Sequence, residues 1–147
     1  MSYTTNTDIQ TRLGSALYIQ LTDDSGTGSA DSAKADDARI AAESEIDSYL
    51  ATRFRVPLDL STEPDVQSAI KSAVIDLAIY RLHCRKPPVP ADVTRRRIEA
   101  IDWLQRIADG DIQLPATLPP ADNTALGTLA STSSGARQFT RDTLRDI

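Results

Sequence analysis

An all-α protein is the fold class this sequence predicts, a compact bundle of about four helices with a long extended C-terminal arm. Three observations lead there. Apolar residues recur every third or fourth position in four separate stretches, proline and glycine clusters punctuate the chain between them, and helical periodicity ends after Gly110. At 147 residues the chain can bury one hydrophobic core, and its 40% apolar and 25% charged content is that of an ordinary folded domain. Residues 1–110 are read as the helical domain and 111–147 as the arm.

Taken in order, Thr7 is placed to cap a first helix with Gln10 three residues on, and Ile9, Leu13 and Leu17 then fall on one face. Gly14 predicts a break near its middle. Thr22 to Ser29 is turn chemistry, after which Asp31 or Ser32 caps a longer helix to about Thr52. Its buried stripe is Ala35, Ala38, Ala42, Ile46, Tyr49 and Leu50, small enough in its first half for a neighbouring helix to approach closely. Pro57 makes Arg53–Leu58 an extended connector that tucks apolar groups against the bundle. A third helix starts near Thr62 or Glu63, with Pro64 in its first turn, and runs through Val66, Ile70, Ala73, Val74, Leu77, Ala78 and Leu82. As the most apolar helix it belongs at the centre. Pro87, Pro88 and Pro90 separate it from a fourth helix, Ala91 to Asp109, with Ile98, Ile101, Leu104 and Ala108 as its inner face and Gly110 as its terminator. Residues 111–136, rich in Pro, Gly, Ser, Thr and Ala, hold no core element on this reading. Apolar groups return only at Phe139, Leu144 and Ile147, which makes the end of the arm a docking segment.

Several function classes fall away. No apolar run reaches the roughly 20 residues needed to cross a bilayer, and Met1–Asn6 has neither a basic nor an apolar leader character, so export and membrane anchoring are not expected. A single cysteine, Cys84, excludes an internal disulfide, and with one histidine, His83, there is no ligand set for zinc or an iron–sulfur cluster. A reducing compartment, no metal and no cofactor are expected. The net charge of −5 argues against a protein that coats nucleic acid. That charge is unevenly spread: residues 1–50 hold three basic groups against nine acidic, and residues 85–110 hold six basic against four acidic.

The local motifs support little chemistry. Asp23-Asp24-Ser25-Gly26-Thr27-Gly28 matches the opening of an EF-hand loop, but the twelfth position is Lys34, and Ser25 and Thr27 are neutral. An ordinary glycine-rich turn is the better reading, with a calcium-binding accessory protein as an alternative. His83 and Cys84 are adjacent, so on a helix they point about 100° apart and cannot serve as base and nucleophile. No phosphate loop, nucleophile elbow or zinc-protease motif is present, and the chain is not expected to be an enzyme. Arg95-Arg96-Arg97 fan over about 300° of a helix at 100° per residue, too widely for one flat DNA-reading face. A solvated surface or a protein interface against an acidic patch is favoured, with a small regulatory DNA-binding protein as the remaining alternative.

The pieces Gln20–Asp23 before a glycine-rich turn, Glu45–Phe54 followed by Pro57-Leu58, Ile79–His83, and Phe139–Leu144 resemble, in that order, the small gp36-like proteins of Mu-like prophages. That family is similar to the head–tail connector, or adaptor, proteins of tailed bacteriophages. The turn Asp23–Gly28 departs from the pattern by being less acidic than is usual in relatives, and it brings no metal site with it. The resemblance implies a homo-oligomeric ring, taken as twelvefold, lying below the portal in the virion neck. Such a ring extends the DNA channel and offers the tail its attachment surface. Its subunits are made in the bacterial cytoplasm. The implied partners are other copies, the portal protein, a tail-side neck or tail terminator protein, and packaged DNA passing without sequence-specific binding; no membrane is involved. Within that frame Arg95, Arg96, Arg97, Phe139, Arg141 and Leu144 are the interface candidates. Asp36, Asp37, Glu43 and Asp47 are the channel-facing candidates, since like charge keeps DNA from adhering as it passes.

Overall fold

The computed structural model describes residues 2–121, and they form an all-α body of five helices. These are α1 (Asn6–Leu13), α2 (Ser15–Thr22), α3 (Ser32–Leu50), α4 (Pro64–Arg85) and α5 (Ala91–Asp109). The count exceeds the expected four because Gly14 takes φ 81°, ψ 148°, which no helix accommodates, and the predicted first helix becomes two. Thr5, not Thr7, is the N-cap of α1. The Asp8 amide donates to the Thr5 hydroxyl at 3.3 Å and the Thr5 amide donates to the Asp8 carboxylate at 3.0 Å, a reciprocal box closed by an ionised acceptor that Gln10 cannot match.

The central placement of α4 holds. It packs against each of the other four helices, and its buried residues include Ile70, Val74, Leu77, Ala78 and Leu82. Pro64 sits in its first turn, where the missing amide costs no hydrogen bond. Asp31 caps α3 by accepting from the Ala33 amide at 2.9 Å, and Ala35, Ala38, Ala42, Ile46 and Leu50 are buried as expected, with Tyr49 half-buried. The three alanines let α3 and α4 approach closely, which is the most extensive helix contact in the body. One polar group in this core is satisfied locally: the buried Thr22 hydroxyl donates to the Tyr18 carbonyl at 2.8 Å.

The inner face of α5 differs from expectation. Val93, Ala100, Leu104 and Ile107 are buried, whereas Ile98 is 51% exposed and Ala108 only half-buried. Ile98 and Ile107 lie nine residues apart, about 180° around a helix, so α5 can bury one of them and not the other. Leu104 belongs to both stripes, and the one that includes Val93 and Ala100 faces the core. Gly110 then ends α5 at φ 92°, a left-handed position that strains any residue with a side chain, and it lies under the Arg53 guanidinium.

Beyond Gly110 the chain returns to the body. Leu118 is buried in the core and Ile112 and Leu114 pack against it, which corrects the expectation that this stretch holds no core element. The connector Arg53–Leu58 and residues 119–121 pair edge to edge: Phe54 bridges Pro120, the Arg55 amide donates to the Pro119 carbonyl at 3.0 Å, and the Ala121 amide donates to the Arg53 carbonyl at 2.8 Å. The rest of the predicted arm, with Phe139, Arg141 and Leu144, lies outside the described residues. Leu118→Ala is expected to cost about 2–4 kcal/mol in urea-unfolding stability, as for other buried leucines. A loss below about 0.5 kcal/mol would show instead that residues 111–121 do not contribute to the core.

Candidate functional site

Three of the four channel-facing candidates share one face of α3. Asp36, Glu43 and Asp47 are seven and four residues apart, within about 40° of one another, while Asp37 is turned about 100° away from Asp36. The shared face is covered by the first residues of the chain. Glu43 Oε1 accepts from the Ser2 hydroxyl at 2.6 Å and from the amides of Tyr3 and Thr4 at 3.0 and 3.3 Å. Arg39 ties the same face together, pairing with Asp36 at 2.9 Å and Glu43 at 3.4 Å, and Asn6 donates to Asp36 at 3.0 Å. The Arg39 guanidinium accordingly holds the Asp36 carboxyl below its ordinary pKa.

Tyr3 is the pivot of this arrangement. Its hydroxyl donates to Asp47 at 2.6 Å and accepts from the buried Leu58 amide at 2.9 Å, joining the N-terminal segment, α3 and the connector through one oxygen. Burial first, then the bond to Asp47, pushes its phenol far above the usual range, so it stays a donor at any ordinary pH. Asp8 fastens α1 to α4 through Lys71 at 2.7 Å. Lys71 is the main cause holding the Asp8 carboxyl well below its usual value. Asp37 is exposed and has no ion pair among the described residues. Sequence reasoning missed Ser2, Tyr3 and Thr4. The available signal was the stripe of carboxylates at 36, 43 and 47, which calls for donors, with an aromatic residue just ahead of a helix cap.

The three arginines are divided as their fan requires. Arg95 pairs with Glu99 at 3.7 Å and Arg96 with Asp92 at 3.5 Å, both within α5 and both solvent-facing. Such exposed pairs contribute about 0.3–0.5 kcal/mol each. Arg97 instead turns inward, 3.6 Å from Glu45 of α3 and with its guanidinium 4.7 Å from the centre of the Tyr80 ring. Glu45 also accepts from Arg81 at 2.7 Å, so one carboxylate links α3, α4 and α5. Arg97 thus belongs to the packing of the body, and Arg95 and Arg96 are the members of the triplet that a partner can meet.

The Asp23 turn is likewise occupied by its own chain. Asp23 accepts from the amides of Ser25 at 3.0 Å and Gly28 at 2.7 Å, and these backbone donors, Gly28 first, hold its carboxyl below its ordinary pKa. Asp24 is paired with Arg85, and with Lys86 at 3.5 Å. Lys86 also donates to the Gln20 carbonyl at 2.7 Å and Arg85 to the Leu21 carbonyl at 3.3 Å, which caps the C-terminal end of α2 with two cations. Among the described residues no group of three or more His, Cys, Asp or Glu is placed to hold a metal ion. His83 is buried while its neighbour Cys84 is exposed, as their spacing on α4 dictates.

Two outcomes follow from these contacts. Tyr3→Phe leaves the buried Leu58 amide and the Asp47 carboxylate without their partner, and is expected to lower unfolding free energy by about 1–3 kcal/mol in urea titration. Burial lowers the His83 pKa below its ordinary 6.5, against a weaker opposing pull from Asp92. The folded state therefore refuses a proton that the unfolded chain accepts, so stability is full above 6.5 and falls as the pH drops through that value. Unfolding free energies measured between about pH 7.5 and 5.5 should decline for the native sequence and decline less for His83→Gln. Equal slopes would place the titration elsewhere.

No helix of the described residues is long and apolar enough to cross a membrane. No curated protein matches the chain. The family model described as Bacteriophage Mu, Gp36 matches residues 3–131, which takes in every helix from α1 to α5, the Tyr3 pivot and the segment that closes on the connector. The chain belongs to the bacteriophage Mu Gp36 family.

Proposed function

We propose that this protein is a non-catalytic head–tail connector, or adaptor, subunit of a tailed bacteriophage. Copies assemble as a ring, twelvefold by the family resemblance, below the portal in the virion neck. The ring extends the DNA channel and gives a tail-side neck or tail terminator protein its attachment surface. Family membership over residues 3–131 supports a phage structural role. The observation that carries the ring is a pair of large aliphatic side chains left in solvent on two different helices, Ile40 of α3 at 53% exposure and Ile98 of α5 at 51%. A head-to-tail ring needs two unlike patches on each subunit, because each copy presents one to the neighbour ahead and the other to the neighbour behind. Asp37, without an ion pair among the described residues, lies on α3 about 60° from Ile40, and Arg95, paired with Glu99, lies on α5 about 60° from Ile98. Phe139, Arg141 and Leu144 of the C-terminal segment supply further anchors to a neighbour, the portal or the tail side.

Negative-stain microscopy of the purified protein with its portal tests this reading, and rings seated on the portal are the expected result. Ile98→Glu and Ile40→Glu should each leave helix content and melting nearly unchanged, within about 0.5 kcal/mol for exposed positions, yet abolish ring formation. Normal rings from both variants would remove α3 and α5 as the ring contacts. Monomers from the native protein, with and without portal, would remove the connector assignment itself.

A further inference from the structure

The described chain ends at Ala121 beside a cavity of about 270 Å³ lined by Arg53, Phe54, Leu114, Ala116, Leu118 and Pro120. Its walls are fixed. The Phe54–Pro120 bridge and the two flanking backbone bonds hold the connector against residues 119–121, and buried Leu118 anchors the opposite side to the core. The apolar groups are half-buried Phe54 and Leu114 together with Pro120 and Ala116. At the rim stands Arg53, exposed, over Gly110, and without an ion pair among the described residues. A preformed slot of this size, with Phe54, Leu114 and Leu118 beside polar Gln113 in its lining and Arg53 at one edge, admits a single aromatic side chain followed closely by a carboxylate.

The chain carries one such segment beyond residue 121, Phe139-Thr140-Arg141-Asp142. We propose that this segment of one copy docks in the slot of a second copy, with Phe139 in the cavity and Asp142 on Arg53. The inference rests on the ring reading and names the surface that receives the C-terminal segment. Reach permits it. Ala121 and Phe139 are eighteen residues apart, a span of up to about 60 Å at 3.3–3.6 Å per residue. A body of this size has a radius of gyration of about 14 Å, so a touching neighbour's slot lies well within that span. Docking on the same copy would instead require the chain to double back to its own point of departure and to give up its freedom for a closed loop. In a ring, every copy gives one segment and receives one, and the contacts reinforce each other around the circle.

The test uses the full chain in a Cys84→Ser background. Copies carrying Gln113→Cys at the slot are mixed under mild oxidation with copies carrying Thr140→Cys. A size tag on one population identifies the mixed disulfide dimer. The mixed dimer should exceed either self-dimer by about tenfold, and Phe139→Ala in the second population should lower it by a similar factor, as expected for a buried aromatic anchor. Arg53→Glu should also lower it, with recovery when Asp142→Arg is placed on the other copy. A chain bearing both cysteines that closes on itself, with no product between copies, overturns the proposal. Rings seen by microscopy without the mixed dimer overturn the slot and leave the ring reading standing. The mixed dimer without rings upholds the slot and removes the ring reading, and absence of both overturns both.

Discussion

The constraint on which this fold depends is the burial of α4. Its buried residues Ile70, Ala73, Val74, Ile75, Leu77, Ala78, Ile79 and Leu82 occupy about two-thirds of the helix circumference at 100° per residue. A helix apolar over so wide an arc cannot be covered by one partner. It must be enclosed, and the remaining elements are arranged to do that: α3 along one side through its alanines, α5 along another, and the short pair α1 and α2 over the rest. Even the residues after α5 serve this enclosure, since Leu118 returns to the core once the helices are in place.

Short helices that cover a core need fastening, and here polar side chains supply it. α1 has eight residues, too few to be stable alone in water. It is held by Asp8 on Lys71 and by Asn6 on Asp36, and the residues ahead of it are held by Glu43 and Asp47. The end of α2 is held by Arg85 and Lys86 from α4. Each of these contacts joins elements distant in sequence, so the acidic N-terminal half and the basic segment after residue 84 are partners in one structure. Of the nine acidic groups before residue 51, Asp24 on Arg85 and Lys86 and Glu45 on Arg97 pair with that basic segment, while Asp8 pairs with Lys71 and Asp36 and Glu43 pair with Arg39.

How much of this was legible in the sequence follows from which signals are local. The start of α3 and both ends of α4 and α5 were readable because Asp31, Pro64, the proline run at 87–90 and Gly110 act within one turn of where they stand. The division of α1 from α2 was foreshadowed by Gly14, but the cap was misplaced by two residues because Thr5 and Thr7 offer similar hydroxyls and only Asp8 decides between them. The face of α5 was misread because Leu104 completes two apolar stripes, and the choice between them is made by α3 and α4, not by α5. Leu118 and Tyr3 were not legible as core and pivot. Each sits in a segment without periodicity: Tyr3 gains its role from Glu43, Asp47 and Leu58, forty to fifty-five positions away, and Leu118 from the core it joins.

The same reasoning bears on what the surface has left to offer. Asp36, Glu43 and Asp47 look in sequence like a solvated acidic face, yet their oxygens are engaged by Asn6, Arg39, Ser2, Tyr3 and Thr4. A carboxylate paired with a guanidinium or several donors presents a much weaker field than a free one, and salt screens what remains. If acidity does line a DNA path, α3 contributes it through Asp37 more than through its three neighbours. Conversely, Ile40 and Ile98 keep about half of their surface in water, 53% and 51%, apolar area that a second surface can cover. Among the described residues, much of the charge is therefore spent on the fold itself while apolar groups stay on the outside of two helices, a division suited to a subunit that works in contact with other chains.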